Sequence, residues 1–262
     1  MPEGLDLERY PLDRPDSTEW RKLVDRCQTD LRTSGMFNLE GFLAPNVAQA
    51  EAADLIPRFT SESFQQSREH NIYFDDSIPE LADDNPVLTR FHTSHDVLCG
   101  DQVTDSLIDK LYYWQPFSNF LAATMGKPAL FTMDDAMAGL NVMSYREGQA
   151  LSWHFDRSEF TTTMLLQAPE AGGEFAYRTN LRDDDEPNYA GVTRLLLGND
   201  PDIRSLALSP GTLNVFHGKN TPHKVMPIRG TRARIIAVFA FFEEPHVRFT
   251  EEERVGFYGR PN

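Results

Sequence analysis

The chain has 262 residues, of which 40% are hydrophobic and 11% aromatic, and this composition is typical of a globular protein with a sizeable core. The formal net charge of −15 disfavours a nucleic-acid partner, because such proteins collect Lys and Arg on a basic face. No apolar run suits a signal peptide or reaches the roughly 18 residues of a membrane span. With only Cys27 and Cys99 available, we expect a cytoplasmic protein with reduced thiols and no membrane partner.

The first 135 residues are predicted to be mostly a helical and loop cover. An apolar stripe at helical spacing starts near Asp16 and stops at Gly35, and Pro45 suits the first turn of a second helix. Pro116 interrupts a third apolar stretch. In chain order the predicted elements are a helix at 16–34, a helix at 45–59, long loops over 60–103 and two short helices within 104–125.

Beyond residue 136 the texture changes to short β-prone runs bounded by Gly, Pro, Asp or Asn. The predicted strands cover 138–145, 160–168, 173–179, 212–216 and 232–242. No linker separates the two halves, so we predict a single α+β domain over residues 1–262. Its core would be a double-stranded β-helix, a cupin-like jelly roll at 136–245, with the N-terminal helices packed outside and a tail at 246–262.

One short segment places an imidazole and a carboxylate two residues apart, at His154 and Asp156. In an extended strand both side chains point to the same face and can reach one metal ion. A second histidine from a distant strand, either His217 or His223, would complete a face of two histidines and one carboxylate, which suits iron(II). Alone, such a pair is more often structural, because histidines in strands usually serve as hydrogen-bonded side chains.

Further signals raise the weight of this pair. Gly172-Gly173 and Pro210-Gly211 flank predicted strands, and Arg234 follows His223 by eleven residues. An arginine there can meet the far carboxylate of a dicarboxylic co-substrate with a bidentate pair. Arg232 shares the same strand face by period-two alternation, so spacing alone does not choose between the two arginines.

At these residues the sequence resembles the 2-oxoglutarate/iron(II) oxygenases, and within them the free-amino-acid halogenases and hydroxylases that act on lysine. The resemblance spans roughly residues 70 to 260. It rests on these motifs: Asn71-Ile72-Tyr73-Phe74, Trp114-Gln115-Pro116-Phe117, Leu140-Asn141-Val142, Trp153-His154-Phe155-Asp156, Gly172-Gly173-Glu174-Phe175, Pro210-Gly211-Thr212-Leu213, His223-Lys224-Val225-Met226-Pro227 and Phe257-Tyr258-Gly259-Arg260.

The resemblance implies that His154, Asp156 and His223 hold the metal, and that Arg234 binds the C5 carboxylate of 2-oxoglutarate. It implies Fe(II), 2-oxoglutarate and O2 as cofactor and co-substrates, and Asn141 is a further candidate contact for the co-substrate. Halogenases of this group carry Gly or Ala where this chain has Asp156, so hydroxylation is expected. Desaturation or ring closure of the substrate stays open as an alternative.

The substrate expectation rests on departures from the lysine-acting relatives. Their amine-binding histidine and acidic residue correspond to Leu151 and Arg157 here, so a lysine ammonium would be buried unpaired. Val238, on the strand of Arg234, is also apolar. We therefore expect a free amino acid with an apolar or neutral side chain, its carboxylate held by Arg90.

Other interpretations remain open from the sequence. His92 and His95 stand three apart and could form a second metal pair on a helix, whereas His70 and His246 are expected on the surface or in loops. A cupin-like metal enzyme without 2-oxoglutarate would have no use for Arg234. A non-catalytic binding protein would need no open metal positions, and both a monomer and a homodimer are compatible with the sequence.

Overall fold

A computed structural model describes residues 2–75 and 77–262. The helices in these residues are α1 (Thr18–Ser34), α2 (Pro45–Ser61), α3 (Leu107–Tyr112), α4 (Gln115–Met125), α5 (Tyr189–Leu196) and α6 (Glu251–Tyr258). The strands are β1 (Met36–Leu39), β2 (Phe64–His70), β3 (Phe91–Cys99), β4 (Phe131–Thr132), β5 (Leu140–Tyr145), β6 (Leu151–His154), β7 (Thr161–Gln167), β8 (Ala171–Gly172), β9 (Phe175–Tyr177), β10 (Arg204–Leu206), β11 (Leu213–Phe216), β12 (His223–Val225), β13 (Ile228–Arg229), β14 (Arg234–Phe239) and β15 (Phe241–Phe242).

Two antiparallel sheets form the framework. The larger has seven strands in the order β1-β11-β7-β14-β5-β3-β2, and the smaller has four in the order β10-β9-β12-β6. Apolar side chains of α1 to α4 pack with those of β5, β7, β11 and β14 in one hydrophobic cluster, so these helices cover one face of the large sheet. The predicted α+β jelly-roll class is confirmed.

Local sequence signals account for the helix ends. The Ser17 hydroxyl accepts a hydrogen bond from the Trp20 N–H, which caps the first turn of α1, and Gly35 ends the helix with a positive φ of 72°. Pro116 lies in the first turn of α4, where its missing N–H costs nothing. The four predicted helices are therefore confirmed, with the start of α1 moved from Asp16 to Thr18.

The prediction of long loops over residues 60–103 is wrong, and so is the placement of the sheet entirely after residue 136. Strands β2 and β3 pair along their full lengths, from Phe64 opposite Val97 to His70 opposite Phe91, and extend the large sheet. Apart from Phe64 at its start, β2 is polar on both faces, so the strand lacks the apolar period-two signal by which strands are recognised. Strand β1 likewise pairs with β11 and forms the other edge of the large sheet.

Several smaller expectations can be compared with the structure. Cys27 and Cys99 are free and buried, as predicted. The segment 246–262, predicted as a tail, contains α6, and α5 was not predicted at all. No helix within residues 2–75 and 77–262 combines the length and the apolar character needed to cross a bilayer.

Candidate metal centre and cavity

A cavity of about 890 Å³ is lined by residues from both sheets. Strands β6 and β12 of the small sheet contribute His154 and His223, and β14 of the large sheet contributes Arg234. Residues from β2, β3 and α6 complete the lining. A volume of this size falls in the range of sites for small organic molecules.

The two histidines are direct cross-strand partners. His223 of β12 lies opposite His154 of β6, and their ring centroids are 4.2 Å apart. Asp156 follows two residues after β6 ends, with Oδ1 3.3 Å from His154 Nε2 and Oδ2 3.5 Å from His223 Nε2. One ligand atom from each residue lies within 4.8 Å of the others, and no other such group of His, Cys, Asp or Glu was found among the described residues.

Backbone carbonyls fix both imidazoles in the same tautomer. His154 Nδ1 lies 2.8 Å from the Ser152 carbonyl and His223 Nδ1 lies 3.0 Å from the Thr221 carbonyl. Since a carbonyl only accepts, each Nδ1 carries the proton and each Nε2 presents a lone pair toward Asp156. This is the outer support that histidine ligands of metals usually have.

Hydrogen bonds within the chain also hold Asp156 in place. The Thr161 hydroxyl donates a short hydrogen bond to Oδ2, and the Asp156 N–H donates to the Gly218 carbonyl at 3.0 Å. A Cβ atom at Gly218 would lie 2.3 Å from Asp156 Oδ2 and 2.4 Å from Thr161 Oγ1. Glycine is therefore required at position 218 for the carboxylate to sit where it does.

Protonation states favour a cation at this place. Burial lowers the pKa of His223 to about 4, so its imidazole is neutral at pH 7. Burial alone would raise the pKa of Asp156, but the neighbouring histidines and the Thr161 hydroxyl outweigh it and hold the pKa below its usual range. Two imidazole nitrogens and one carboxylate fit a divalent iron ion and leave coordination positions for other ligands.

Arg234 lies at the start of β14 and is 3% exposed, yet no carboxylate of the described residues pairs with its guanidinium. Its guanidinium carbon is 5.8 Å from the ring centroid of Tyr145, and burial lowers its pKa. A buried, unpaired guanidinium in the same cavity as the three metal-site residues fits the far carboxylate of 2-oxoglutarate.

Arg232 does not share this position. It is exposed and lies before β14 begins, where its Nη2 donates to the Pro169 carbonyl at 3.2 Å. The expectation that period-two alternation puts both arginines on one strand face is wrong, because the strand starts at Arg234 and the preceding residues form a turn.

The Gly172-Gly173 motif shapes the wall beside Arg234. Both glycines have positive φ, 70° and 71°, and a Cβ at Gly172 would lie 2.1 Å from the Pro227 carbonyl oxygen. A Cβ at Gly173 would lie 3.2 Å from the Cδ of Arg234. The motif thus lets β8 approach β13 closely and leaves room for the arginine.

The residues expected to contact the substrate or the co-substrate differ in how they border the cavity. Leu151, Val238 and Asn141 line the cavity. Both amide hydrogens of Asn141 are engaged, by the Met137 and Leu140 carbonyls, so contact with a co-substrate would have to displace one of these bonds. Arg157 lies at the rim, where its side chain is 73% exposed and forms an ion pair with Glu253 at 3.2 Å.

Arg90, the residue expected to hold the substrate carboxylate, lies outside the cavity. It is exposed at the end of a loop, and its Nη2 donates to the Glu69 carbonyl at 3.1 Å. The expectation failed because β2 and β3 were taken for loops. As a strand, β3 begins only at Phe91 and carries His95, rather than Arg90, into the cavity.

The remaining histidines differ in their burial and in their contacts. The ring of His217 packs 4.3 Å from that of Phe160 and does not join the metal-binding group. The idea of a metal pair on a helix is wrong, because His92 and His95 lie on a strand, where His92 is exposed and His95 is buried. His70 is also buried, contrary to expectation, and hydrogen-bonds Thr93 at 2.8 Å, whereas His246 is exposed as predicted.

One wall of the cavity was not predicted from the sequence. We call Gln66, Arg68 and His95 the β2–β3 wall, since all three line the cavity from these two strands. The one sequence signal was the alternation Gln66, Arg68, His70, which has strand period but no apolar member. Phe257 and Tyr258 of α6 also line the cavity, in a segment that had been predicted only as a tail.

Comparison with known proteins agrees with this arrangement. Residues 94–254, more than half of the chain, match the halogenase D family. No curated protein matches the sequence.

Solved structures share the fold at low identity. The prolyl-4-hydroxylase of Pseudomonas putida is 14% identical with a TM-score of 0.51, covering 86% of this chain and 100% of its own. The epimerase SnoN, solved with Fe3+ and α-ketoglutarate, is 15% identical with a TM-score of 0.57, covering 85% and 84%. HygX from Streptomyces hygroscopicus, solved with nickel and 2-oxoglutarate, is 12% identical with a TM-score of 0.51, covering 82% and 85%.

Proposed function

Because this chain belongs to the halogenase D family, we propose that it is an iron(II)- and 2-oxoglutarate-dependent oxygenase that hydroxylates an unactivated C–H bond of a free amino acid. The fold, the family and the group of two histidines and one aspartate agree on this enzyme class. The proposal goes beyond this enzyme class in two respects, hydroxylation as the reaction outcome and a free amino acid as the substrate.

The observation that carries the proposal is the presence of two complementary features in one cavity. His154, Asp156 and His223 converge within 4.8 Å, and the buried Arg234 lines the same cavity with no acidic partner within residues 2–75 and 77–262. Iron(II) bound at the three ligands would supply the activation of O2. The chain itself holds the ligands in place through Ser152, Thr221 and Thr161, while Arg234 provides the charge that orients a dicarboxylic co-substrate.

Asp156 favours oxygen transfer over halogenation. Its carboxylate lies 3.3 and 3.5 Å from the two histidine Nε2 atoms, and the Thr161 hydroxyl fixes it there. The resemblance described above implies that halogenases lack this carboxylate and use the freed position for a halide. With the position filled by protein, hydroxylation is the outcome that we propose.

The lining disfavours a substrate with a cationic side chain. Its acidic residues are Asp156, Glu159 and Glu243, and the latter two both pair with Lys127, at 2.7 and 2.9 Å. Among the lining residues that the structure describes, every carboxylate other than Asp156 already contacts Lys127, so burying a lysine ammonium away from them would cost several kcal/mol. Leu151 and Val238 offer apolar contact instead, which supports an amino acid with an apolar or neutral side chain.

The test is a screen of the twenty proteinogenic L-amino acids for 2-oxoglutarate-dependent succinate formation with Fe(II) and O2. We expect stoichiometric succinate and a product that has gained one oxygen atom with an apolar or neutral amino acid. Asp156→Ala should abolish both signals. Coupled turnover only with lysine or arginine would overturn the substrate class, and succinate with a desaturated or cyclised product would overturn hydroxylation.

A further inference from the structure

Strand β2 brings a second arginine into the cavity. Arg68 lines the cavity from the same strand as Gln66, and its side chain remains accessible. Its guanidinium carbon lies 4.6 Å from the ring centroid of Phe74 and 5.8 Å from that of Phe257. The cation is thus held beside two aromatic rings contributed by different parts of the chain.

No acid neutralises this guanidinium. Within residues 2–75 and 77–262, its contacts are the two rings, with no ion pair or side-chain hydrogen bond. Surrounding protein removes enough water to lower the pKa of Arg68, although the group stays cationic at pH 7. A partly desolvated cation that no carboxylate compensates is arranged for an anion from outside the chain.

A second group on the β2–β3 wall also lacks a partner. His95 is 8% exposed, lines the cavity, and its Nδ1 has no hydrogen-bond partner. It lies opposite Gln66 in the register of β2 and β3, diagonal to Arg68. Buried polar atoms are rarely left unbonded, so this nitrogen independently indicates that a polar ligand belongs here.

The wall is rigidly supported. Gln66 donates to the carbonyls of Gly256 and Phe257 at 2.9 and 2.8 Å, which ties α6 and its aromatic ring to β2. On the other side, Asn71 Oδ1 accepts from the N–H groups of Tyr73 and Asp75 and holds Phe74 at a φ of 56°. A phenylalanine at positive φ is strained, which marks its position as one fixed by the surrounding contacts.

We propose that Arg68 binds the carboxylate of the substrate and that His95 makes a second polar contact to the same molecule. This assignment rests on the proposed function and replaces Arg90, which lies outside the cavity. Phe74 links the anchor to the metal centre, since its ring lies 4.6 Å from the Arg68 guanidinium carbon and 5.9 Å from the His154 ring. The Arg68 guanidinium and the His154 ring thus border the same phenylalanine ring within one cavity.

The test measures binding rather than turnover. Anaerobic protein loaded with Fe(II) and 2-oxoglutarate is titrated in a calorimeter with each of the twenty L-amino acids, with the carboxamide of the tightest binder, and with 4-methylpentanoate. We expect Arg68→Gln to weaken the tightest amino acid about 30-fold, as for loss of a charge-assisted hydrogen bond, and to remove the preference for acid over amide. Arg68→Lys should recover part of the affinity.

Arg90→Gln is the matched control and should change the same affinity by less than about threefold. Arg68→Gln should also keep its affinity for 2-oxoglutarate and its melting temperature, which separates a lost contact from a damaged site. Amino-acid binding that is unchanged in Arg68→Gln would overturn the anchor and leave the proposed function standing.

The remaining outcomes separate the two claims. Arg68-dependent binding of 4-methylpentanoate without binding of any amino acid would support the anchor and overturn the amino-acid substrate class. Failure of the unaltered protein to bind any of these carboxylates would overturn both.

Discussion

The metal site and the β2–β3 wall border the same cavity but differ in how their polar atoms are satisfied. At the metal site both Nδ1 atoms and the Asp156 carboxylate are hydrogen-bonded within the chain, and only the ligand-facing atoms stay open. On the β2–β3 wall, Arg68 and His95 Nδ1 have no polar partner among the residues that the structure describes. The difference indicates that the metal ligands are preorganised before iron binds, whereas the β2–β3 wall has polar atoms available for a ligand.

The largest expected effect comes from removing a metal ligand. His223→Ala should lower the affinity for Fe(II) by more than about 100-fold, because even outer-shell changes around metals cost 10- to 100-fold. His217→Ala is the matched control, since it removes an imidazole six residues away that lies outside the group and should leave the affinity nearly unchanged. Equal losses in both variants, measured by anaerobic iron titration, would contradict the site.

Next in size is the loss of the buried guanidinium. Arg234→Gln should weaken 2-oxoglutarate by about 100-fold, as for a charged hydrogen bond removed from a buried site, with iron affinity retained. Arg232→Gln, two residues earlier and exposed, should bind 2-oxoglutarate normally. Calorimetric titration of the iron-loaded variants measures both, and a larger loss in Arg232→Gln would reverse the assignment.

A smaller effect should follow from disturbing the support of Asp156. Gly218→Ala places a methyl group against Asp156 Oδ2 and Thr161 Oγ1, so iron affinity should fall by about 10-fold. In Gly256→Ala the new Cβ would meet nothing within 4 Å, and that variant should bind iron as the unaltered protein does. If the two variants bound iron equally well, the carboxylate would not depend on the space at Gly218.

The smallest expected effect is on stability, and it tests whether Gln66 ties the β2–β3 wall to α6. Gln66→Ala removes two buried hydrogen bonds to the end of α6 and should lower the free energy of unfolding by about 2 kcal/mol. Glu253→Gln removes the charge from the exposed ion pair with Arg157 but keeps a side-chain oxygen that can accept from the Thr250 N–H, so it should cost less than about 1 kcal/mol. Denaturant titrations compare them, and a larger loss in Glu253→Gln would mean that the rim, rather than the strand, holds α6.

The sequence predicted those parts of the protein whose residue types are chemically special. The spacing led to His154 and Asp156, whereas the choice of His223 over His217 and of Arg234 over Arg232 came from the resemblance to the 2-oxoglutarate oxygenases. Patterned apolar residues likewise predicted α1 to α4 and the later strands. The pair of His154 and Asp156 and the apolar patterns are local signals, so they can be recognised without knowing the fold.

The β2–β3 wall could not be predicted in this way. Strand β2 lines the cavity with Gln66 and Arg68, and polar residues on a cavity-lining face look like a loop when the cavity is unknown. Arg90 was expected to hold the substrate carboxylate because residues 60–103 were predicted to be loops. The placement of Arg68 depends on the register of β2 with β3, a tertiary property that the local sequence does not contain.

The most direct test of the central claim is a crystal structure of anaerobic protein with Fe(II) and 2-oxoglutarate, with anomalous data collected at the iron edge. We expect a single strong anomalous peak from an iron ion that is bonded to His154 Nε2, a carboxylate oxygen of Asp156 and His223 Nε2. The far carboxylate of 2-oxoglutarate should lie on Arg234. A peak at other residues, or a co-substrate whose far carboxylate lies on Arg68, would contradict it.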